Sequence, residues 1–360
     1  MTAHDLQAGV PLATSPLTFV RPRQHGASLV VADTGSAYRS LAPEAARLIL
    51  FALEARSRDE FVAAGFNEAM LETALEDGML LAVGDRSAES ASLWEASNWS
   101  RAAYALFTQF DLDYAESGWG AESLDEHVDG RRSQILRYME EEPYPARLWL
   151  DSIDEPIELP APANGSSPLR FDRMFARRSA RRFRAGPVDF ADFAAVLHGA
   201  GANVRAAARS QRAGDPFFVL NSFYSWLAPF AIVQGVEHVP ERVYQVDLEQ
   251  GRLVPVAERP DDRSIASTIA GQAWISGGGF CLFVAVDWLR YMWIYRHARA
   301  YINLITQIGE FGQEVIQHAA SRGLGGWMTP AVDETRAARL IGAEGSRLDP
   351  MYFMKIGAPD

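Results

Sequence analysis

Leu304, Ile308, Phe311, Val315 and Ala319 recur every three or four residues, the spacing of a helix with one buried face. They predict a long helix over roughly 299–321, stopped by Gly323-Leu324-Gly325-Gly326. Phe190, Phe193, Ala194 and Leu197 share that period and predict a shorter helix ending near Gly199. Apolar runs at 217–220, 230–233 and 280–286 read instead as buried strands and 352–356 as a final strand, with Gly277-Gly278-Gly279 as a turn. Nearer the N-terminus, apolar runs at 17–20 and 28–32 flank Pro22 and Gly26 and predict a hairpin. Ser40 and Pro43 signal a helix whose inner face is Leu48, Phe51, Ala52 and Ala55. A second short helix covers 60–64 and stops at Gly65. Asn67 caps a third, with Met70, Leu71, Ala74 and Leu75 inward and Gly78 as its stop, and 79–83 reads as a strand.

Three short helices followed by a strand suggest a winged-helix-like module. The third helix carries Glu68, Glu72, Glu76 and Asp77 and no basic residue, the wrong sign for a phosphate backbone. Residues 86–150 read as mostly helical, with an aromatic-rich stretch at Trp94, Trp99, Tyr104, Phe107 and Phe110 that suits core or interface. Prolines 156, 160, 162 and 168, with Gly165-Ser166-Ser167, mark a linker. The expected organisation is a winged-helix-like domain over 1–90, a helical connecting segment with a Pro-rich linker over 91–169, and an α+β domain over 170–360.

Composition narrows the class. With 360 residues and 48% hydrophobic content the chain can bury a sizeable core. A net charge of -12 argues against a nucleic-acid binder. The lone cysteine, Cys281, sits inside an apolar run and reads as a core residue; with no internal disulfide, a reducing, cytoplasmic setting is expected. Residues 1–16 have neither the basic start nor the apolar stretch of a signal peptide, and no apolar run approaches the ~20 residues of a membrane span. The histidines are scattered without metal-ligand spacing, and Gly-x-Ser-x-Gly, Gly-x-Gly-x-x-Gly and phosphate-loop patterns are absent.

Against the acidic total, residues 170–184 hold seven arginines and a single acid, Asp172. Positive charge gathered against the global sign repels itself unless an anion is present. The guanidinium fork matches phosphate oxygens, and Ser179 adds a hydroxyl. On the residues alone, two readings stand: a phosphate site, or a solvated basic face paired with acids elsewhere.

Arg177-Arg178-Ser179-Ala180-Arg181-Arg182-Phe183, opening an apolar helix, resembles the start of the flavin-dependent nitroreductase fold, and most closely its SagB-type dehydrogenase branch, which acts in peptide maturation. The resemblance covers 170–360, and more loosely the whole chain. It implies an α+β, nitroreductase-like FMN-binding domain preceded by a small winged-helix-like domain of the kind that captures leader peptides. Arg177, Arg178, Ser179 and Arg181 fall on its FMN-binding motif, Ser222 on a loop serine near the flavin, and Leu324, Gly325 and Gly326 on a loop along the flavin ring. Tyr295 is the surviving member of a Lys-Tyr pair whose lysine is Ile294 here. It is the candidate proton acceptor, with Arg296 and Arg299 near it in sequence and His297 as a second candidate. Other departures are Phe223 and Tyr224 in place of glycines, which would partly fill the pocket, and Glu310 in place of histidine. The resemblance further implies a homodimer, with Leu304, Ile308, Phe311 and Val315 as its candidate face, and a precursor peptide and other maturation enzymes as partners. The expected function is FMN-dependent dehydrogenation of a ribosomally made, modified peptide. A nicotinamide-dependent enzyme acting on small molecules and a non-catalytic scaffold of a maturation complex are the alternatives.

Overall fold

The computed structural model describes residues 10–15, 18–23, 26–31, 39–40, 43–76, 79–83, 124–161, 171–221, 223–296 and 300–360; the Trp94–Phe110 aromatic stretch, Ser222 and residues 297–299 lie outside them. The chain divides into two compact units, Met1–Ala121 and Glu122–Asp360.

In the first unit, β1 (Leu12–Thr14) pairs antiparallel with β5 (Leu80–Ala82), and β2 (Thr18–Arg23), β3 (Gly26–Val31) and β4 (Arg39–Ser40) form a three-stranded sheet. The predicted hairpin is β2–β3. Helices α1 (Pro43–Phe51), α2 (Arg58–Ala63) and α3 (Glu68–Glu76) follow the predicted order. Ser57 and Glu60 close a reciprocal capping box on α2, and the Asn67 side chain accepts from the Met70 amide at 2.8 Å. Leu12, Leu48, Phe61, Leu71 and Leu80 make the core. Two of the α3 acids, Glu68 and Glu72, are held by Arg58.

The second unit is α+β. Its seven-stranded sheet has the order β11-β12-β10-β7-β8-β9-β6, with every neighbouring pair antiparallel. The strands are β6 (Ile157–Glu158), β7 (Leu227–Gly235), β8 (Arg242–Asp247), β9 (Arg252–Glu258), β10 (Gly279–Asp287), β11 (Gly325–Thr329) and β12 (Leu348–Gly357). Strand β10, between β12 and β7, is buried throughout, and its residues alternate between two cores. Phe280, Leu282, Val284 and Val286 face one core, and Cys281, Phe283 and Ala285 the other.

The helices of this unit are α4 (Leu124–Glu141), α5 (Phe171–Ala176), α6 (Phe190–Ala200), α7 (Ala202–Arg212), α8 (Asp262–Ser267), α9 (Trp288–Ile294), α10 (Ala300–Ser321) and α11 (Glu334–Leu340). Helices α6 and α10 cover the first core, and α8 and α11 the second. Among the described residues, no helix is long and apolar enough to cross a membrane.

Two local expectations are corrected. The run 217–220 is a 3-10 helix, Pro216–Leu220, because Asp215 accepts from the Phe217 amide at 2.9 Å and Pro216 presets the first turn. Leu304, Ile308, Phe311 and Val315, offered as a dimer face, are at most 4% exposed within a single chain and belong to its core. Strands β8 and β9 and helix α9 were not anticipated.

Backbone crossings at the glycine turn are close. Gly279 has φ +96, and a Cβ there would lie 2.2 Å from the Ile356 carbonyl oxygen. Gly309, within α10, has open space around it. Gly279→Ala is therefore expected to cost about 2 kcal/mol or more, while Gly309→Ala should gain up to about 1 kcal/mol, both read from denaturant unfolding.

His318 lies at the α6–α10 contact, against Gly199, and His198, also on α6, faces Leu159 and Gly251. His318 titrates below its ordinary value because of burial, then the Arg322 and Arg205 charges. His198 is lowered by burial, against a raising contact with the Leu159 carbonyl, and by Arg205. The fold thus favours neutral imidazoles, and on acidification the unfolded chain binds protons first. This contribution to stability is complete above about pH 6.5 and is lost as pH falls below it. Thermal unfolding followed from pH 8 to pH 5 should show that decline, and His318→Gln should flatten it.

Candidate functional site

After α5 the chain runs extended along the outer edge of β11. Ser179 bridges Gly326 in parallel, and the Ala180 amide donates to the Gly326 carbonyl at 3.2 Å. Further on, Phe183 bridges Pro359, the Arg184 amide donates to the Ala358 carbonyl at 2.9 Å, and the Gly278 amide donates to the Arg184 carbonyl at 2.7 Å. Phe183 is buried in the second core. The backbone of the arginine segment is therefore committed to the sheet, which leaves its polar side chains to solvent.

Those side chains open on a cleft of about 800 Å³. Arg177, Arg178, Ser179, Arg181, Leu324 and Gly325 line it, six of the ten residues expected at the site, while Gly326 stands beside it on β11. Gly325 permits the close approach: a Cβ there would sit 2.7 Å from the Ala180 Cβ. Sequence reasoning did not place Arg173 or Asp360 at the cleft, and it gave Arg182 no role there. Arg173 was visible only as a member of the arginine count, outside the motif, whereas Arg182 stood within the Arg177–Phe183 string.

Among the described residues, no ion pair engages Arg173, Arg177, Arg178, Arg181 or Arg182. Elsewhere in the same unit arginines meet carboxylates: Arg147 with Glu249 at 3.1 Å, Arg242 with Asp154 at 2.6 Å, Arg252 with Asp247 at 2.9 Å and Arg322 with Asp192 at 3.1 Å. Among the described residues, the cleft arginines are thus not neutralised by acids elsewhere. Arg173 donates to the Ser321 carbonyl at 3.2 Å and Arg178 to the Arg177 carbonyl at 3.1 Å, and Arg181 lies 5.5 Å over the Trp274 ring. Unneutralised guanidinium forks and a hydroxyl around an open cleft are a donor set that fits a phosphate. The Leu324 amide donates to the Ala319 carbonyl at 3.0 Å.

Tyr295 is not among the residues lining the cleft. It ends α9 rather than beginning a helix: its amide donates to the Tyr291 carbonyl at 3.1 Å, because the Asp287 side chain caps the segment and starts the helix earlier. Its ring centroid is 4.8 Å from that of Tyr291, and the Arg131 guanidinium lies 5.3 Å over it. Arg296 is turned away, paired with Glu141 at 2.8 Å and stacked on Tyr138 at 3.8 Å. Ile294 is fully buried and Glu310 is exposed. Ser222, His297 and Arg299 lie outside the described residues. Burial pushes the Cys281 thiol up to about 12, which makes it inert at neutral pH.

No family model matches the chain. It is 22% identical over 303 residues to the trifolitoxin operon protein TfxC of Rhizobium leguminosarum bv. trifolii, across 80% of this chain and 81% of that one. Among solved structures it is similar to a protein of Anabaena variabilis named as a nitroreductase, at 17% identity and TM-score 0.46, over 62% of this chain and 47% of that one. A second so named, from Ralstonia eutropha, gives 17% identity and TM-score 0.44 over 61% of this chain and 98% of that one. The Escherichia coli microcin synthetase McbBCD complex with truncated pro-MccB17 bound gives 14% identity and TM-score 0.40, over 69% of this chain and 86% of that chain.

Proposed function

We propose that the protein is an FMN-dependent oxidoreductase that dehydrogenates a ribosomally made, modified peptide during natural-product maturation. The observation that carries this reading is the cleft whose arginines have no counter-ion within the described chain. Arg177, Arg178, Arg181 and the Ser179 hydroxyl hold the cofactor phosphate. When bound, the flavin supplies the acceptor for a hydride removed from substrate. The relative from an operon named for trifolitoxin supports the peptide context, and residues 1–90 are proposed as a winged-helix-like module that captures the precursor's leader.

Tyr295 is proposed as the proton acceptor. It lies outside the cleft of its own chain, and the reading therefore includes a homodimer in which a partner copy completes the site. With Leu304 and Ile308 committed to the core, Ile302 and Ile305 on the outer side of α10, 37% and 50% exposed, are the proposed contact. Sedimentation at micromolar concentration should report two chains, and Ile305→Glu should shift the species to one. A single chain for the unaltered protein overturns the dimer.

Each charge-assisted arginine–phosphate contact contributes about 1.5–3 kcal/mol. The Arg177→Ala/Arg181→Ala variant should lose its flavin absorbance on dialysis while keeping its far-ultraviolet circular dichroism. Tyr295→Phe should retain the flavin and lose about 100-fold or more in peptide oxidation. A flavin band that survives the double substitution defeats the cofactor assignment, and unchanged turnover in Tyr295→Phe removes that residue from the proton transfer.

A further inference from the structure

The cleft carries more positive charge than one phosphate monoester neutralises. Arg173, Arg177, Arg178, Arg181 and Arg182 line it, and Asp360 is the only acidic residue among the lining residues. A phosphate monoester brings about two negative charges, so positive charge remains after it binds. Arg184, exposed at the end of the same extended segment, adds to the excess. This surplus persists in a protein of net charge -12, where acids to quench it are plentiful.

Two exposed aromatic residues adjoin this excess. Phe175, on α5 between Arg173 and Arg177, is 83% exposed. Trp274, under the Arg181 guanidinium, is 41% exposed. A large aromatic side chain left in water beside unpaired arginines marks a surface awaiting a partner. Guanidinium forks accept carboxylates as readily as phosphates, and the aromatic rings accept apolar side chains.

We propose that the outer side of the arginine segment, from Phe175 next to the cleft-lining Ala176 and Arg177, past Trp274 under Arg181, to Arg182 and Arg184, binds an acidic segment of a peptide that also carries apolar residues. This rests on the flavin reading, in which the phosphate occupies Arg177, Arg178, Ser179 and Arg181 and leaves this outer side to the peptide. Arginines and aromatics spread along an extended backbone suit a chain of alternating chemistry, whereas a compact dinucleotide would be gathered within the cleft.

The test uses a fluorescein-labelled glutamate-rich peptide carrying leucines, and its glutamine counterpart, titrated by anisotropy into the full chain as purified and after flavin removal. The acidic peptide should bind roughly ten-fold more tightly than the neutral one, and added salt should erase the difference. Arg184→Glu should largely remove the preference while flavin absorbance per chain is unchanged. Phe175→Ser, which alters an exposed side chain, should weaken binding of both peptides and keeps the proposal open to refutation if the charge reversal does not fold. Equal binding of the two peptides, no effect of the charge reversal, or displacement of the acidic peptide by NADPH overturns the proposal. Flavin absent with peptide preference kept tells against the cofactor reading alone, and flavin present with no preference tells against the outer side alone.

Discussion

A buried ammonium holds the site together. Lys355, on β12, is fully buried and spends its three protons on the Gln234 side-chain oxygen at 2.7 Å, the Gly278 carbonyl at 3.0 Å and the Gly277 carbonyl at 3.1 Å. Its charge faces the Phe183 ring, 5.4 Å from the centroid. An unpaired buried charge costs several kcal/mol, and no carboxylate touches this one directly. Asp262 reaches it only through Gln234, whose amide donates to the carboxylate at 3.0 Å. Burial holds the ammonium below the ordinary lysine value. The three carbonyls and the ring are its compensation, and they tie the glycine turn to the arginine segment, since Gly278 also donates to the Arg184 carbonyl. The path of the segment that presents Arg177 to Arg182 is thus fixed from beneath by one cation.

Fixing the backbone has an electrostatic consequence. With its amides and carbonyls engaged along β11 and the end of β12, the segment cannot fold back to bring its arginines to acids elsewhere. Like charges are then held near one another by the sheet rather than by mutual attraction, a cost that the surrounding packing has to meet. An incoming anion relieves this repulsion, so binding and local stability are coupled through the same residues.

Much of this was legible in the sequence, and the limits are physical. The 3.6-residue period of α10 and the apolar runs within β7 and β10 identified the central elements, because burial on one or both faces imposes those patterns. The arginine cluster identified the cleft because charge against the global sign needs no tertiary knowledge to notice. Strand β8 was missed because it carries polar side chains such as Gln245 and Asp247, whose burial depends on tertiary partners, and β9 because Pro255 stands in its interior. Helix α9 was hidden because Trp288–Ile294 is apolar almost throughout, a composition that does not separate helix from strand. Lys355 gave no signal at all, since nothing local distinguishes a lysine that will be caged by carbonyls from one in water.

Phe223 and Tyr224 show why a motif mismatch has to be read in three dimensions. Standing where glycines were expected, they looked set to fill a pocket. Both instead turn into the first core, at 3% exposure. Phe223 meets Phe311 at 5.9 Å, and the Tyr224 ring is flanked by the Arg147 and Arg290 guanidiniums at 5.4 and 5.0 Å. Those two arginines also donate to the backbone: Arg147 to the Leu227 carbonyl, and Arg290 to the Ser225 carbonyl at 3.3 Å. Arg147 comes from the segment before the proline-rich stretch and Arg290 from α9, so distant parts of the sequence converge on one turn. A glycine-rich turn would have to be held by its own tight geometry. Here the aromatic rings and the buried guanidiniums hold it, which leaves the arginine cleft unobstructed by either residue.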